Sequence, residues 1–163
     1  MATDAVPIVR LLLAARQTMI LWRGTELTQL FNNEYLPYFG SGGRDLVALG
    51  ATGEVHWADA WPIIGPEIRG VMESGESTWH EDRLVPITRN GRLESVYWTY
   101  GYTPLFESDG RVAGVLVICQ DTTLRVLAVT ELERVNRELD EALAQLRTSH
   151  WHIRRNQEVL PSE

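Results

Sequence analysis

A group of aromatic side chains is the part of this sequence best suited to forming a binding site. Pockets for small molecules are mostly apolar and carry a few polar groups. Two of the aromatics, Trp98 and Tyr100, lie two residues apart and therefore share one face of a predicted strand. We predict a ligand pocket whose candidate lining residues are Trp57, Trp61, Trp79, Trp98, Tyr100 and Cys119. An ordinary aromatic core is the alternative.

The charged residues exclude several kinds of chemistry. All 15 basic residues of the 163-residue chain are arginine, so neither a phosphate-loop lysine nor a Schiff-base lysine is available. His80 and Asp82 share a strand face but supply two ligands, too few for a metal site, and we predict no bound metal. The net charge of -7 argues against general affinity for nucleic acid.

An acid–base enzyme on an α+β scaffold is an alternative from a different functional class. Such an enzyme would need a carboxylate or histidine with a shifted pKa inside the aromatic pocket. Glu94 is the only acid predicted on the strand face that carries Trp98 and Tyr100, and it lies near the start of that strand. We predict that the protein is not an enzyme.

A second feature is the direct connection between the last strand, residues 111–120, and a long helix that begins at Thr123. The helix has apolar residues at heptad a positions, with d positions between them, over the four heptads usual for a coiled coil. We predict a parallel pair whose interface contains Leu132, Val135, Leu139, Ala142, Leu146 and Ile153. Polar residues at 149 and 156 weaken its distal end. A single helix folded back on the domain is the alternative.

Around these features the sequence predicts an α+β domain. An amphipathic helix in residues 1–16 precedes a two-stranded hairpin and several short helices. Three strands joined by tight turns then form an antiparallel meander. Because the last strand is apolar on both sides, we expect its sheet to be covered on the second face by the N-terminal helix or a partner chain. The predicted strands are 17–22, 26–31, 77–88, 92–106 and 111–120, and the predicted helices include 57–74 and 123–160.

Four sequence motifs together resemble a PAS sensor domain of the kind found in bacterial histidine kinases and related signalling proteins. The resemblance runs from about Gln17 to Thr123. Its motifs are residues 22–35, the segment Trp61-Pro62-Ile63-Ile64-Gly65-Pro66, residues 97–105, and Asp121-Thr122-Thr123.

The resemblance implies an antiparallel five-stranded sheet with helices on one face. The domains would then be an N-terminal helix (1–16), the PAS domain (17–123), a coiled-coil signalling helix (124–160) and a tail (161–163). It also implies that Gln120, Asp121 and Thr123 relay a signal from the sheet to the helix. We expect a non-enzymatic dimeric sensor whose output domain lies outside this chain.

Cofactor-loaded sensors of the same family form a further alternative. A flavin photoreceptor of the LOV subclass would need an Asn-Cys-Arg-Phe-Leu-Gln segment on a helix, which is absent, and Cys119 lies on a strand instead. For haem, His56 is the only candidate histidine in the helical region. Neither flavin nor haem is favoured, and the cofactor stays open.

The remaining expectations concern location and partners. No apolar run approaches the ~20 residues of a membrane span, and the first 15 residues do not resemble a signal peptide. The single cysteine fits a reducing compartment. We expect a cytoplasmic homodimer, paired through the long helix and the N-terminal helix, with a small-molecule ligand and with no nucleic-acid or membrane partner.

Overall fold

The computed structural model describes residues 5–39 and 48–157, and side chains within this part except those of Ala5 and residues 149–157. The described elements are helices and strands, together with a 3₁₀ helix at Asn33–Phe39. The helices are α1 (Ala5–Ala14), α2 (Gly53–His56), α3 (Trp61–Ser74) and α4 (Thr123–Gln157). The strands are β1 (Thr18–Arg23), β2 (Thr28–Phe31), β3 (Thr78–Arg89), β4 (Arg92–Phe106) and β5 (Val112–Asp121).

The five strands form one antiparallel sheet in the order β2-β1-β5-β4-β3, which confirms the predicted fold class. Asn90 and Gly91 connect β3 to β4 and both have positive φ, 50° and 72°. Positive φ at both central residues is the requirement of the tight hairpin turn that an Asn-Gly pair favours. The last strand pairs with β1 on one side and with β4 on the other, so it lies at the centre of the sheet.

An irregularity in β3 reverses which residues face the helices. The register shifts between His80 and Arg83, and Asp82 lies there with φ of 48°. Before the shift His80 contacts the ring of Tyr100, and after it Val85 and Ile87 are buried. An extra residue in one strand exchanges the two faces beyond it. Alternation continued without a break would therefore assign the first half of β3 to the wrong faces.

The sheet is covered on both faces. On one face the helices between β2 and β3 pack over residues such as Ile20, Trp22 and Val117. On the other, Leu12 of α1 is buried with Met19, Leu21 and Leu116. The expectation that the N-terminal helix covers the second face is therefore confirmed. Burial of apolar area on both sides of one sheet is the main stabilising contribution to such a fold.

Helix α3 begins four residues later than predicted. The sequence pattern placed its start at Trp57, but residues 57–60 form a separate turn, and the helix begins at Trp61 with Pro62 in its first turn. Proline is tolerated there because the first N–H groups of a helix have no intrahelical partner. The helix ends at Ser74 and is followed by Gly75, whose φ of 68° gives the left-handed cap that glycine favours.

The chain divides into two compact units at Thr123 and Leu124. In the second unit, α4 is a continuous helix of 35 residues including Thr123. Leu132, Val135, Leu139 and Leu146 are exposed on it, as is Ala142. Arg134 pairs with Glu131 and Glu138 along the helix. The side chain of Ile153, predicted for the same interface, lies outside the described residues.

No helix among residues 5–39 and 48–157 combines the length and the apolar character needed to cross a membrane.

We expect Gly114→Ala to lower the free energy of unfolding by about 1–3 kcal/mol, because overpacking a tight contact costs that much. Gly114 pairs with Arg23 of β1, and a Cβ there would approach the Trp22 carbonyl oxygen more closely than real Cβ atoms do. Urea denaturation measures the change. The matched control is Gly70→Ala on α3, where a Cβ meets nothing within 4 Å. Equal effects of the two substitutions would contradict this packing argument.

Candidate functional site

A small aromatic cavity lies between the sheet and the helices of its inner face. Its volume is about 50 Å³. Four of the six predicted pocket residues meet in its wall: Trp57, Trp98, Tyr100 and Cys119. The rest of the wall consists of Ile20, Trp22, Tyr35, Ala60, Ile64, Val85, Ile87, Tyr102 and Val117. The aromatic set is therefore both a core and the lining of a cavity. That it binds a ligand stays a prediction.

The other two predicted residues do not line the cavity. Trp61 is buried one layer behind it, edge-on to Trp22 with ring centroids 6.4 Å apart. Trp79 is 62% exposed and lies against Gly101 on the outer side of the sheet. The irregularity after His80 explains its position, because it places Trp79 on the face opposite Val85 and Ile87.

Gln29 organises the cavity wall, and our sequence reasoning missed it. Its side chain is fully buried. Gln29 Oε1 accepts hydrogen bonds from the indole N–H groups of Trp57 at 2.9 Å and Trp22 at 3.4 Å, while Gln29 Nε2 donates to the backbone carbonyl oxygen of Ala48 at 2.7 Å. One polar side chain thus fixes two aromatic walls. A glutamine within a β-strand gives no sequence signal for contacts so distant along the chain.

A polar cluster, defined by Glu67, His80, Arg83 and Tyr100, borders the cavity. The Tyr100 hydroxyl donates to Glu67 Oε2 at 2.9 Å. Arg83 Nη1 lies 2.5 Å from Glu67 Oε1, and His80 Nε2 lies 3.6 Å from Glu67 Oε2. His80 therefore contacts both a carboxylate and an aromatic ring. A sequence signal did exist, because Glu67 adjoins Ile68 and follows Ile64 within the buried stripe of α3.

Burial keeps the ionisable groups of the cavity wall uncharged. It raises the pKa of the Cys119 thiol to about 12 and the pKa of Tyr35 and Tyr102 well above the ordinary value. Burial also raises the pKa of Tyr100, and the hydrogen bond from its hydroxyl to Glu67 raises that pKa further. Desolvation disfavours the charged form of each group. The wall is consequently neutral at physiological pH.

Arg89 connects the cavity wall to the end of β5. Its guanidinium carbon lies 6.0 Å from the ring centroid of Trp98 and 5.2 Å from that of Tyr38. Its Nη2 donates to Asp121 Oδ2 at 3.1 Å, and Nη1 lies 3.7 Å from Glu94. Aromatic faces attract such cations. Glu94, the candidate acid of the enzyme alternative, is therefore paired at the hairpin end and does not line the cavity.

The start of α4 is held to β4 by backbone and side-chain bonds. Asp121 Oδ1 accepts from the Thr123 N–H at 3.0 Å, and Thr123 Oγ1 accepts from the Tyr97 N–H at 2.9 Å. Burial alone would raise the pKa of Asp121, but hydrogen bonds from Thr123 and Arg89 outweigh it and lower that pKa. Gln120, predicted for the same relay, is exposed. Asp121 and Thr123 thus meet in one network.

The cavity does not fit a flavin or a haem. Its volume of about 50 Å³ is far below the roughly 300–1,000 Å³ of ordinary ligand sites. Cys119 lies on β5, where its buried thiol has a raised pKa, and only a thiolate is a strong nucleophile. His56 packs edge-on against Phe39 and Trp57. Within the described part of the chain, no cluster of three or more His, Cys, Asp or Glu residues is suited to a metal ion.

Comparison with known proteins places this geometry in a family. A family model described as the PAS fold matches residues 29–127, more than half of the chain. No curated protein matches the chain.

Several solved structures have a similar fold. An RNA-binding light-oxygen-voltage receptor superimposes with a TM-score of 0.58 at 17% identity, over 84% of this chain and 38% of the receptor. A PAS domain from Colwellia psychrerythraea gives 0.53 at 12% identity, over 72% of this chain and 96% of that one. The phage VqmA–DPO complex gives 0.51 at 20% identity, over 82% and 58%. At these identities the likeness concerns the fold.

We expect Gln29→Leu to lower the free energy of unfolding by about 3 kcal/mol, because leaving a buried polar group without a partner costs about 1–3 kcal/mol. The substitution removes the acceptor of the Trp57 and Trp22 indoles. Urea denaturation followed by tryptophan fluorescence measures it. Gln17→Leu, at an exposed side chain before β1, is the matched control. A loss no larger than that of the control would show that the buried bonds do not stabilise the wall.

Proposed function

The chain belongs to the PAS fold family, and we propose that it is a non-enzymatic, homodimeric sensory module. In this proposal, occupancy of the aromatic cavity is relayed through the end of β5 to a parallel coiled coil formed by α4. The observation that carries it is the position of Arg89, which contacts both an aromatic residue of the cavity wall and Asp121 at the start of the helix.

At the cavity end, the relay depends on Trp98. Its ring lines the cavity and also contacts Tyr38, with ring centroids 5.1 Å apart. The Arg89 guanidinium lies over both rings. A ligand that displaces Trp98 therefore changes the surface against which Arg89 is held. A ligand shifts a conformational equilibrium when its contacts differ between the two conformations.

At the output end, the relay depends on Asp121. Arg89 and the Thr123 N–H bind different oxygens of the same carboxylate. Movement of the guanidinium is thereby coupled to the first residue of α4. Thr122 adds two bonds to the Tyr97 carbonyl, at 2.8 Å from its N–H and 3.3 Å from its hydroxyl. This set of bonds gives the junction few ways to move, which suits a switch between discrete arrangements.

The dimer is inferred from α4 itself. Leu132, Val135, Leu139 and Leu146 follow heptad spacing and are exposed in the single chain. A row of exposed apolar residues at this spacing is stabilised by a second helix, since each of these side chains then inserts between four residues of the partner helix. Glu131, Arg134 and Glu138 pair along the helix beside the seam. The N-terminal helix, with exposed Val6, Leu11 and Leu13, is a second candidate for contact between copies.

We expect Leu139→Glu to weaken the dimer by at least tenfold, because it places a charge in an apolar seam at a cost of more than about 1.4 kcal/mol. Sedimentation equilibrium of the full chain measures the dissociation constant. The control is Ala144→Glu, which introduces the same charged residue five positions further along, on the outer side of the helix. The dimer is disproved if the unsubstituted chain is monomeric at micromolar concentration, and the seam is misplaced if both substitutions act equally.

We expect Arg89→Gln to change the pattern of disulfide cross-links along α4, because it breaks the connection between Trp98 and Asp121. Single cysteines are placed in turn at positions 131–139 of a Cys119→Ser chain. In the parent, cross-linking should peak at 132, 135 and 139. Arg89→Gln should redistribute these yields by at least twofold, whereas Arg92→Gln, at an exposed position of the same hairpin, should not. An unchanged pattern in Arg89→Gln would remove Arg89 from the relay.

A further inference from the structure

We propose that the cavity selects a small, uncharged, flat ring carrying one hydrogen-bond donor, and that Glu67 sets this preference by accepting the hydrogen bond that the Tyr100 hydroxyl donates. The inference rests on the proposed function, because it assumes that the cavity is the sensory site.

The Tyr100 hydroxyl already donates its one proton to a hydrogen bond within the protein. A tyrosine hydroxyl has one proton to donate and otherwise accepts. Tyr100 is 4% exposed, its ring lines the cavity, and its proton is directed to Glu67 Oε2 at 2.9 Å. With the proton committed, the oxygen has acceptor capacity only. A ligand that reaches this oxygen gains a bond only by offering an N–H or O–H group.

The charged neighbours of Glu67 fix the direction of its hydrogen bond with Tyr100. Arg83 lies 2.5 Å from one carboxylate oxygen of Glu67, and His80 lies 3.6 Å from the other. An ionised carboxylate accepts hydrogen bonds and cannot donate them. Tyr100 must therefore be the donor to Glu67. The acidic residue outside the cavity thus determines the polarity that Tyr100 presents within it.

Three other donors of the cavity wall are bonded within the protein. The indole N–H groups of Trp22 and Trp57 are both directed to Gln29, and the Cys119 thiol lies 3.9 Å from the Thr18 carbonyl oxygen as its donor. These three donors already have acceptors within the protein. A ligand acceptor placed beside them would have to compete for a proton, whereas a ligand donor can bond the lone pair of the Tyr100 oxygen that the neighbouring Tyr102 hydroxyl does not use.

The cavity wall also restricts the charge, shape and size of a ligand. The wall is neutral, so a charged ligand would lose its hydration without a counter-charge. Aromatic walls favour flat rings, which can stack or pack edge-on. An apolar cavity of about 150 Å³ holds a benzene ring, and this one has about 50 Å³. Only a very small ring would enter, and the side chains of the wall must move apart to admit it.

Pyrrole and furan form a matched pair of probes for this preference. Both are five-membered aromatic rings, but pyrrole carries an N–H donor and furan an oxygen acceptor. We expect pyrrole to bind the full chain about fivefold more tightly, the value of one neutral hydrogen bond. The indole N–H resonances of Trp22 and Trp57, followed by ¹⁵N NMR during titration, report the binding of either probe.

Three variants locate the source of the preference. Tyr100→Phe removes the acceptor, and Glu67→Gln lets the Tyr100 hydroxyl turn and donate, so both should reduce the pyrrole-to-furan ratio to about one. Tyr97→Phe makes the same chemical change on the same strand at a neighbouring position outside the cavity wall, and should keep the ratio. Because each ratio compares two probes within one variant, a general loss of stability does not alter it.

The outcomes separate this inference from the sensory function. Equal binding of the two probes to the unsubstituted chain would overturn the donor preference while leaving the cavity a binding site. A preference that survives in Tyr100→Phe would overturn the role of Tyr100. No shift of either indole resonance with either probe would overturn both the preference and the cavity as sensory site.

Discussion

The burial of β5 on both faces is the constraint on which the rest of the structure depends. Its residues Val115, Val117 and Cys119 are buried in the core on the cavity side of the sheet, while Leu116 is buried with Leu12 of α1 on the other side. Neighbouring strands bind it on both edges. A strand enclosed in this way cannot slide by one residue without exposing a whole apolar face. The position of its last residue, Asp121, is therefore defined by the core itself, and the helix that follows starts from a fixed point.

Polar side chains then give this apolar frame its specificity. Gln29, Glu67 and Arg89 each contact aromatic residues of the cavity wall, and each makes at least one side-chain hydrogen bond. Buried polar groups are costly when unpaired, so such contacts favour one arrangement of the neighbouring rings over others. The three residues belong to β2, α3 and β3, so the wall is fixed from several sides.

The sequence predicted much of the frame because its signals are local. Alternation in β4 correctly placed Trp98 and Tyr100 on one buried face, and the apolar character of β5 correctly indicated a second covered face. The predicted break between residues 88 and 92 correctly located the hairpin turn, which Asn90 and Gly91 form. Each of these rests on neighbours within a few residues, where backbone sterics and side-chain period determine the outcome.

The side-chain contacts of the site could not be predicted in the same way. Glu67 meets Tyr100 across 33 residues, and Gln29 meets Trp57 across 28. Arg89 reaches Asp121 across 32. Such pairs depend on how the strands and helices pack. The displacement of Trp79 followed from a single irregular residue in β3, which has no clear composition signal.

That irregularity also bears on how the site could change during evolution. A substitution at Asp82 that abolished the irregularity while keeping every residue would restore plain alternation, turning the half-strand before it by one face. Trp79 would then lie opposite Tyr102 on the inner face, and His80 would leave Glu67. A single codon thus separates a pocket bordered by charged groups from one enclosed by a further indole. Such a lineage could exchange one class of stimulus for another while its strands, its long helix and its mode of output stayed the same.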